Sequence, residues 1–247
     1  MLQRVIFFRD ISCKMIANKE LSSSTYRMGS KRNYSGTVRD KERTKGKLLT
    51  AVGEVFTKHG YNGLTIKRVI ETAGVDKRLI YEYFGGFNSL VETYLRQKDY
   101  WYGFNSDIGE AIENSKPDYA RKLSETILIN QFDRFYNDQE LQQILRWQLS
   151  ENSPAIHDLR IDREKIASLL FSITDPFFEG SSVDLRAVAA LLVGGIYSIV
   201  LHSKTSDTPF CEIDVNTPDG MRRIKAAISK IIEGTYKAVE DQRQSDI

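Results

Sequence analysis

Residues 65–84 read TIKRVIETAGVDKRLIYEYF, and this stretch decides the fold. It holds two short helical patterns on either side of a turn with Gly74 near its middle. Thr65 is a good N-cap, because its hydroxyl can accept from a backbone N–H of the first turn, and Ile66, Val69 and Ile70 follow at helical spacing. Ala73 is small where two helices would touch, Gly74 is free to take positive φ, and Asp76 can cap a second helix over residues 77–83. Val69, Ile70, Val75 and Ile80 supply the aliphatic contacts that lock the angle between them. Lys77, Arg78 and Tyr81 are left outward near the start of the second helix, the end that enters the major groove in a helix-turn-helix. Arg is suited to bidentate contact with guanine, while Lys and a Tyr hydroxyl suit phosphates. Taken alone, the motif fits an ordinary helical hairpin with a solvated basic face about as well.

The flanks extend the helical pattern in both directions. Upstream, Leu48, Val52, Val55 and Phe56 line one face of an amphipathic helix that ends at His59-Gly60. Downstream, Gly85-Gly86 breaks the second helix and residues 89–101 read as a fourth. Five more helices are expected at about 118–136, 138–151, 155–174, 183–203 and 218–240. Pro154 and Pro218 sit at first helical positions, the latter behind a Thr217 cap. There is no alternating strand pattern, hairpin signal or internal repeat, so the chain reads as all-α with a loop over residues 204–216. Residues 1–36 lack a sustained period and are rich in Ser, Asn, Lys and Arg, which reads as a flexible basic arm, with Met28 as an alternative start to Met1.

Composition narrows the function classes. With 41% apolar and 28% charged residues in a chain of 247, a real core is affordable and global disorder is excluded. Cys13 and Cys211 make no disulfide framework, and no Cys/His cluster offers a metal site, so a reducing cytoplasm is the expected compartment and no cofactor is expected. His59, His157 and His202 are too dispersed for a three-histidine zinc site. No apolar run reaches 18 residues, and MLQRVIFFRD is too short in apolar residues for a signal-peptide core, so no membrane partner is expected. GxSxG, P-loop, GxGxxG and HExxH patterns are all missing, which sets the enzyme class aside. Charge is uneven: residues 27–100 carry 15 Lys/Arg against 8 Asp/Glu, and residues 101–247 carry 16 against 23. A basic first part that faces a polyanion, followed by an acidic remainder, accounts for this asymmetry, and so does scattered solvated charge.

The longer stretch KLLTAVGEVFTKHGYNGLTIKRVIETAGVDKRLIYEYFGGFNSLVETYL, residues 47–95, resembles the N-terminal domain of the TetR/AcrR family of transcriptional regulators. The landmarks are Ala51, Phe56, His59-Gly60-Tyr61, Thr65, Ile70, Ala73-Gly74-Val75, Ile80-Tyr81, Tyr83-Phe84 and Leu90. The resemblance implies an all-α architecture: a three-helix, helix-turn-helix DNA-binding head over residues 37–88 and a larger helical-bundle body for ligand binding and dimerisation over 89–247. It further implies that Thr65 contacts a phosphate at a helix start, with Lys67 beside it, and that Lys77, Arg78 and Tyr81 form the recognition surface. Arg78-Leu79 stands where a Gly-Thr pair is common, and Phe87 where a Lys is frequent, so two family phosphate contacts are missing. Basic residues of the arm and its edge, Lys31, Arg32, Arg39, Lys41 and Arg43, could restore that affinity in the minor groove.

The expected partners are double-stranded DNA, a second copy of the chain and a small apolar or aromatic inducer; a regulator controlled by a protein partner is the alternative. Residues 187–201, AVAALLVGGIYSIVL, are uncharged and expected to be buried, and Met221, Ile224, Ile228, Ile231 and Thr235 recur at helical steps. A dimer seam of Leu192, Val193, Ile196, Val200, Ile224, Ile228 and Ile231 is expected, with intramolecular core as the alternative that periodicity alone leaves open. Aromatics gather mid-chain, and an inter-helical pocket there would draw on Trp101, Phe104, Phe132, Phe135, Trp147 and Phe171, with Gln131, Arg134 and Gln148 as orienting groups.

Overall fold

A computed structural model describes residues 34–101, 108–150 and 153–245. Ten α-helices account for the described chain: α1 Tyr34–His59, α2 Ile66–Ala73, α3 Arg78–Phe84, α4 Phe87–Lys98, α5 Ile108–Ser115, α6 Arg121–Asn137, α7 Gln139–Ser150, α8 Pro154–Phe178, α9 Leu185–Thr205 and α10 Pro218–Ser245. Among the described residues no strand forms; a lone bridge joins Phe210 and Ile213 in the loop before α10. Asp40–Ile247 packs as one compact unit, and the shorter unit Met1–Arg39 contributes the first turns of α1. Helix α1 thus begins three residues inside the stretch expected to be an arm. Helix α5 was not anticipated either, since its eight residues IGEAIENS offer only Ile108, Ala111 and Ile112 as an apolar face.

The helix ends are set by the residues that mark them in the sequence. Thr65 caps α2 by accepting from Arg68 N at 3.4 Å, and Gly74 ends it in the left-handed region at φ 63°, where a side chain would be strained. Ser153 accepts from Ile156 N at the start of α8, and Asp184 from Ala187 N at the start of α9. Thr217 accepts from Gly220 N at 3.0 Å, as its position before Pro218 suggests. Tyr119 and Ala120 enter α6 with positive φ and no glycine; the Tyr236 hydroxyl, fully buried, donates to Tyr119 O at 2.8 Å and holds that turn.

The core starts in the head and continues unbroken into the body. Leu48, Val52, Val69, Ile80 and Leu90 are each fully buried, so the stripes of α1, α2, α3 and α4 meet there. Helix α4 then runs against α7 and α8, while α6 packs on both α9 and α10. Helix α9 departs from expectation. Its uncharged segment lies in a helix of 21 residues, long and apolar enough by length and composition to cross a membrane, and only 17% of its most apolar 18-residue window is buried within the chain. Of its residues only Leu185, Ile196 and Val200 are buried; Leu192, Val193, Tyr197, Ile199 and Leu201 are half-buried against the core, and Ala187, Ala190, Leu191, Gly194 and Ser198 are exposed.

Candidate nucleic-acid interface

The helix-turn-helix presents its basic residues to solvent. Thr65, Lys67, Lys77, Arg78 and Tyr81 are all exposed, while Val69 and Ile80 face the core from the opposite sides of α2 and α3. Asp76 caps the start of α3 as expected: its Oδ1 accepts from Arg78 N at 2.7 Å, while Lys77, already helical in its dihedrals, makes no side-chain cap bond. Lys77 Nζ lies 5.9 Å from the Tyr81 ring centre, so the two sit one turn apart on a single face. Arg68, unlike its basic neighbours, is committed to structure: its Nη1 donates to Gly63 O at 2.8 Å and braces the turn before α2. Lys41 covers the Tyr83 ring at 5.3 Å, a contact between α1 and α3 with no counterpart in the sequence reading. Lys31 and Arg32 lie outside the described residues, and Arg39 falls within the first turns of α1.

Three ion pairs gather at the last turn of α4, the helix that leads from head to body. Arg96 reaches Asp162 at 3.2 Å, Lys98 pairs with Glu140, and Asp99 pairs with Arg163. The last is the buried one: the Asp99 side chain is 1% exposed and that of Arg163 13%. Arg163 Nη1 also donates to Gln148 Oε1 at 2.8 Å, and Asp99 Oδ1 accepts from Trp101 N at 2.9 Å. Gln131 Nε2 donates to the Tyr197 hydroxyl at 3.2 Å, and burial raises the Tyr197 phenol above its ordinary range, so it stays neutral. Asp99, Arg163 and Tyr197 were missed as members of this centre. One signal was present: Arg163 sits at helical spacing among the buried Ile156, Leu159 and Ile166 of α8, and a charge inside an apolar stripe demands a partner.

Residues 48–93, from the second half of α1 to the body of α4, match the model of the tetR family of bacterial regulatory proteins. Over these residues the chain is similar to the tetR family of regulators. An HTH-type transcriptional activator, FasR of Mycolicibacterium smegmatis, is 32% identical over 80 residues, covering 31% of this chain and 35% of that protein. An HTH-type transcriptional repressor of Streptomyces coelicolor is 37% identical over 61 residues, 25% of this chain and 32% of its own length. The chain therefore spans about a third of the curated relatives it matches. Solved structures extend the likeness beyond these residues. A Clostridium perfringens protein assigned as a fatty acid metabolism regulator superposes with a TM-score of 0.56 at 19% identity, over 76% of this chain and 97% of that one. The transcriptional regulator FadR of Bacillus subtilis, in complex with stearoyl-CoA, gives 0.50 at 18%, over 76% and 98%. At these identities the likeness establishes the fold.

The residues singled out for a ligand pocket are only partly brought together. Gln131, Phe132, Phe135, Trp147 and Gln148 are buried, and Trp101 is half-buried near them. Arg134 is not among them: it lies off the buried Ile127–Leu128–Gln131–Phe132–Phe135 stripe of α6 and pairs with Asp138 at 3.1 Å on the surface. Phe171 lies beneath the Arg186 guanidinium at 4.6 Å, between α8 and α9. Trp147 faces the head, stacked on Tyr61 with ring centres 4.0 Å apart. Phe104 lies outside the described residues. A cleft of about 270 Å³ opens elsewhere, between the end of α9 and the loop to α10, lined by His202, Asp207, Phe210 and Asn216. Of the expected seam, Ile196, Val200 and Ile228 turn into the chain's own core, Leu192, Val193 and Ile224 are half-buried, and Ile231 is 44% exposed. Among the described residues no group of three or more His, Cys, Asp or Glu side chains is placed to hold a metal ion.

Proposed function

We propose that the chain is a transcriptional regulator that binds a palindromic operator as a homodimer, acting as a repressor that a small apolar or aromatic ligand releases. The observation that carries this reading is the outward set Thr65, Lys67, Lys77, Arg78 and Tyr81 on a TetR-family head. In this reading Thr65 and Lys67 hold phosphates, Arg78 reads a base edge, and Lys77 and Tyr81 position the helix. The head occupies residues 37–88 and the body 89–247, with residues 1–36 as an arm that adds phosphate contacts through Lys31 and Arg32, beside Arg39 in the first turns of α1.

The second copy docks on α9 and α10. Leu191 is 77% exposed, and Ala187, Ala190, Gly194 and Ser198 lie exposed at three- and four-residue steps beside it. On α10, Ala227, Ile231, Gly234 and Ala238 form a matching exposed row. The seam is therefore rotated from the one drawn on Ile196, Val200 and Ile228; it keeps Ile231 within it and Leu192 and Val193 at its edge. A Cβ built on Gly194, Gly195 or Gly234 meets nothing within 4 Å in the single chain. Each helical glycine costs about 1 kcal/mol relative to alanine, a cost that close approach of a partner helix offsets. A two-fold pair presents two recognition helices about 34 Å apart, one turn of DNA.

The ligand is supported by polar atoms left without partners in the body: Gln131 Oε1 and Gln148 Nε2 are buried and unbonded. A polar group on an otherwise apolar molecule would satisfy them. A shift of α4 on binding would move the recognition helices out of register, and a 100-fold loss of operator affinity requires about 2.7 kcal/mol of coupling. Control by a protein partner is the second reading, favoured by the complete burial of Phe132 and Phe135, which a ligand has to displace. Binding-site selection on random duplex DNA tests the first claim: a palindrome with half-sites about 10 base pairs apart is expected. Recovery of a single half-site, or of no sequence, refutes it. A compound that raises the melting temperature and releases the selected operator distinguishes ligand from protein control.

A further inference from the structure

We propose that Trp147 and Gln148 of α7 are positioning residues for the DNA-binding head, Trp147 holding it through Tyr61 and Gln148 tying that hold to the buried Asp99–Arg163 pair at the end of α4. The proposal rests on the reading that the chain binds a two-half operator as a dimer. The Tyr61 ring stacks on Trp147 at 4.0 Å between centres and 20° between planes, and Phe56 lies 5.8 Å from the same indole. Gln143, one turn earlier on α7, donates from Nε2 to Thr57 O at 3.0 Å. Phe56, Thr57 and Tyr61 all belong to the end of α1 and the turn into α2, a few residues before Thr65. The head is thus held at two separate places, covalently by α4 and by contact with α7. One attachment leaves it free to swing about α4; two fix its orientation.

The two attachments are not independent. Gln148 follows Trp147 directly, and its Oε1 accepts from Arg163 Nη1 at 2.8 Å while Arg163 Nε donates to Asp99 Oδ2 at 2.8 Å. Trp147 and Gln148 share one helical turn, so α7 cannot move at the buried pair without moving the indole under Tyr61. A paired charge with directional hydrogen bonds has discrete arrangements where an apolar contact would slide, which suits a joint that must be either in register or out of it. Trp147 Nε1 is buried without a hydrogen-bond partner, so the indole holds Tyr61 and Phe56 through its ring and not through its N–H.

The test uses the full chain and duplexes recovered by the wild type from random DNA, with the half-sites at the recovered spacing or moved by one base pair. Wild type is expected to prefer the recovered spacing. Tyr61→Leu and Gln148→Leu should shrink that preference by about two- to tenfold, the range an aromatic pair supports, with affinity for an isolated half-site unchanged. Trp147→Phe should keep the preference. Tyr61 is only half-buried, so its variant provides the reading where Gln148→Leu does not fold. Retention of the full preference in folded Tyr61→Leu, with only a lower melting temperature, overturns the proposal and makes the stack merely structural. Failure of the wild type itself to recover DNA or to discriminate spacing removes the dimer reading underneath it, a different and recognisable result.

Discussion

Leu191→Asp separates the stability of the subunit from the stability of the pair. In the single chain Leu191 is 77% exposed, so the substitution removes almost no intramolecular contact. The subunit should therefore melt within about 0.5 kcal/mol of wild type. In the proposed dimer the same side chain faces its partner, and two-fold symmetry counts the change twice. Full burial of a leucine is worth about 1.5–3 kcal/mol, and roughly three-quarters of that remains to be gained on pairing, about 2–5 kcal/mol for two copies. The dimer dissociation constant should rise by about 30- to 4,000-fold, and further where the aspartate is left unpaired in the seam. Sedimentation equilibrium over a concentration series reads the constant, and fluorescence anisotropy with the selected duplex reads operator binding, which should fall with it. A dimer of unchanged affinity refutes the seam on α9. A melting loss comparable to a core truncation refutes the exposure from which the magnitude was worked.

Other substitutions probe the head and the body separately. Arg78→Ala should cost about 1–3 kcal/mol on the selected operator and relax the preference at one base pair; equal weakening on every sequence would make Arg78 a phosphate contact. Thr65→Ala should cost about 1 kcal/mol in urea unfolding through the lost α2 cap, in addition to any loss of DNA affinity. Asp99→Ala leaves Arg163 without its buried carboxylate and should cost about 3–5 kcal/mol in the same assay, and a loss below 1 would show the pair to be dispensable. Tyr236 is pushed up to about 12 from 10.0, first by burial. Its folded pKa exceeds its unfolded one, so its contribution is complete below pH 10 and is lost as pH rises from 10 through 12. Melting temperature against pH should fall across that window, and Tyr236→Phe should flatten the fall.

Much of the head was legible because its residues are constrained by local chemistry. Thr65 and Gly74 mark the ends of α2 by what their side chains can and cannot do, and the Leu48–Val52–Val55–Phe56 stripe has one place to go. The body was less legible, and for a physical reason: periodicity says that a face is apolar, not what lies against it. Ile228 and Ile231 share one helical pattern, yet the first is 3% exposed and the second 44%, because α6 covers one side of α10 and leaves the other bare. Trp147 was grouped with pocket aromatics, while its neighbour in space is Tyr61, 86 positions earlier in the chain. Arg163 and Asp99 are paired across 64 positions, and nothing local to either names the other.

The bare row on α9 and α10 lies on different helices from the recognition residues of α3, and this has a genetic corollary. In the proposed dimer, a chain whose Arg78 and Tyr81 are disabled keeps Leu191, Gly194 and Ile231 intact and should still pair with a working copy. Such a heterodimer would grip one half-site only, so in a cell expressing both alleles most assemblies should be spoiled. Lesions in α3 should therefore behave as dominant, and lesions in α9 as recessive.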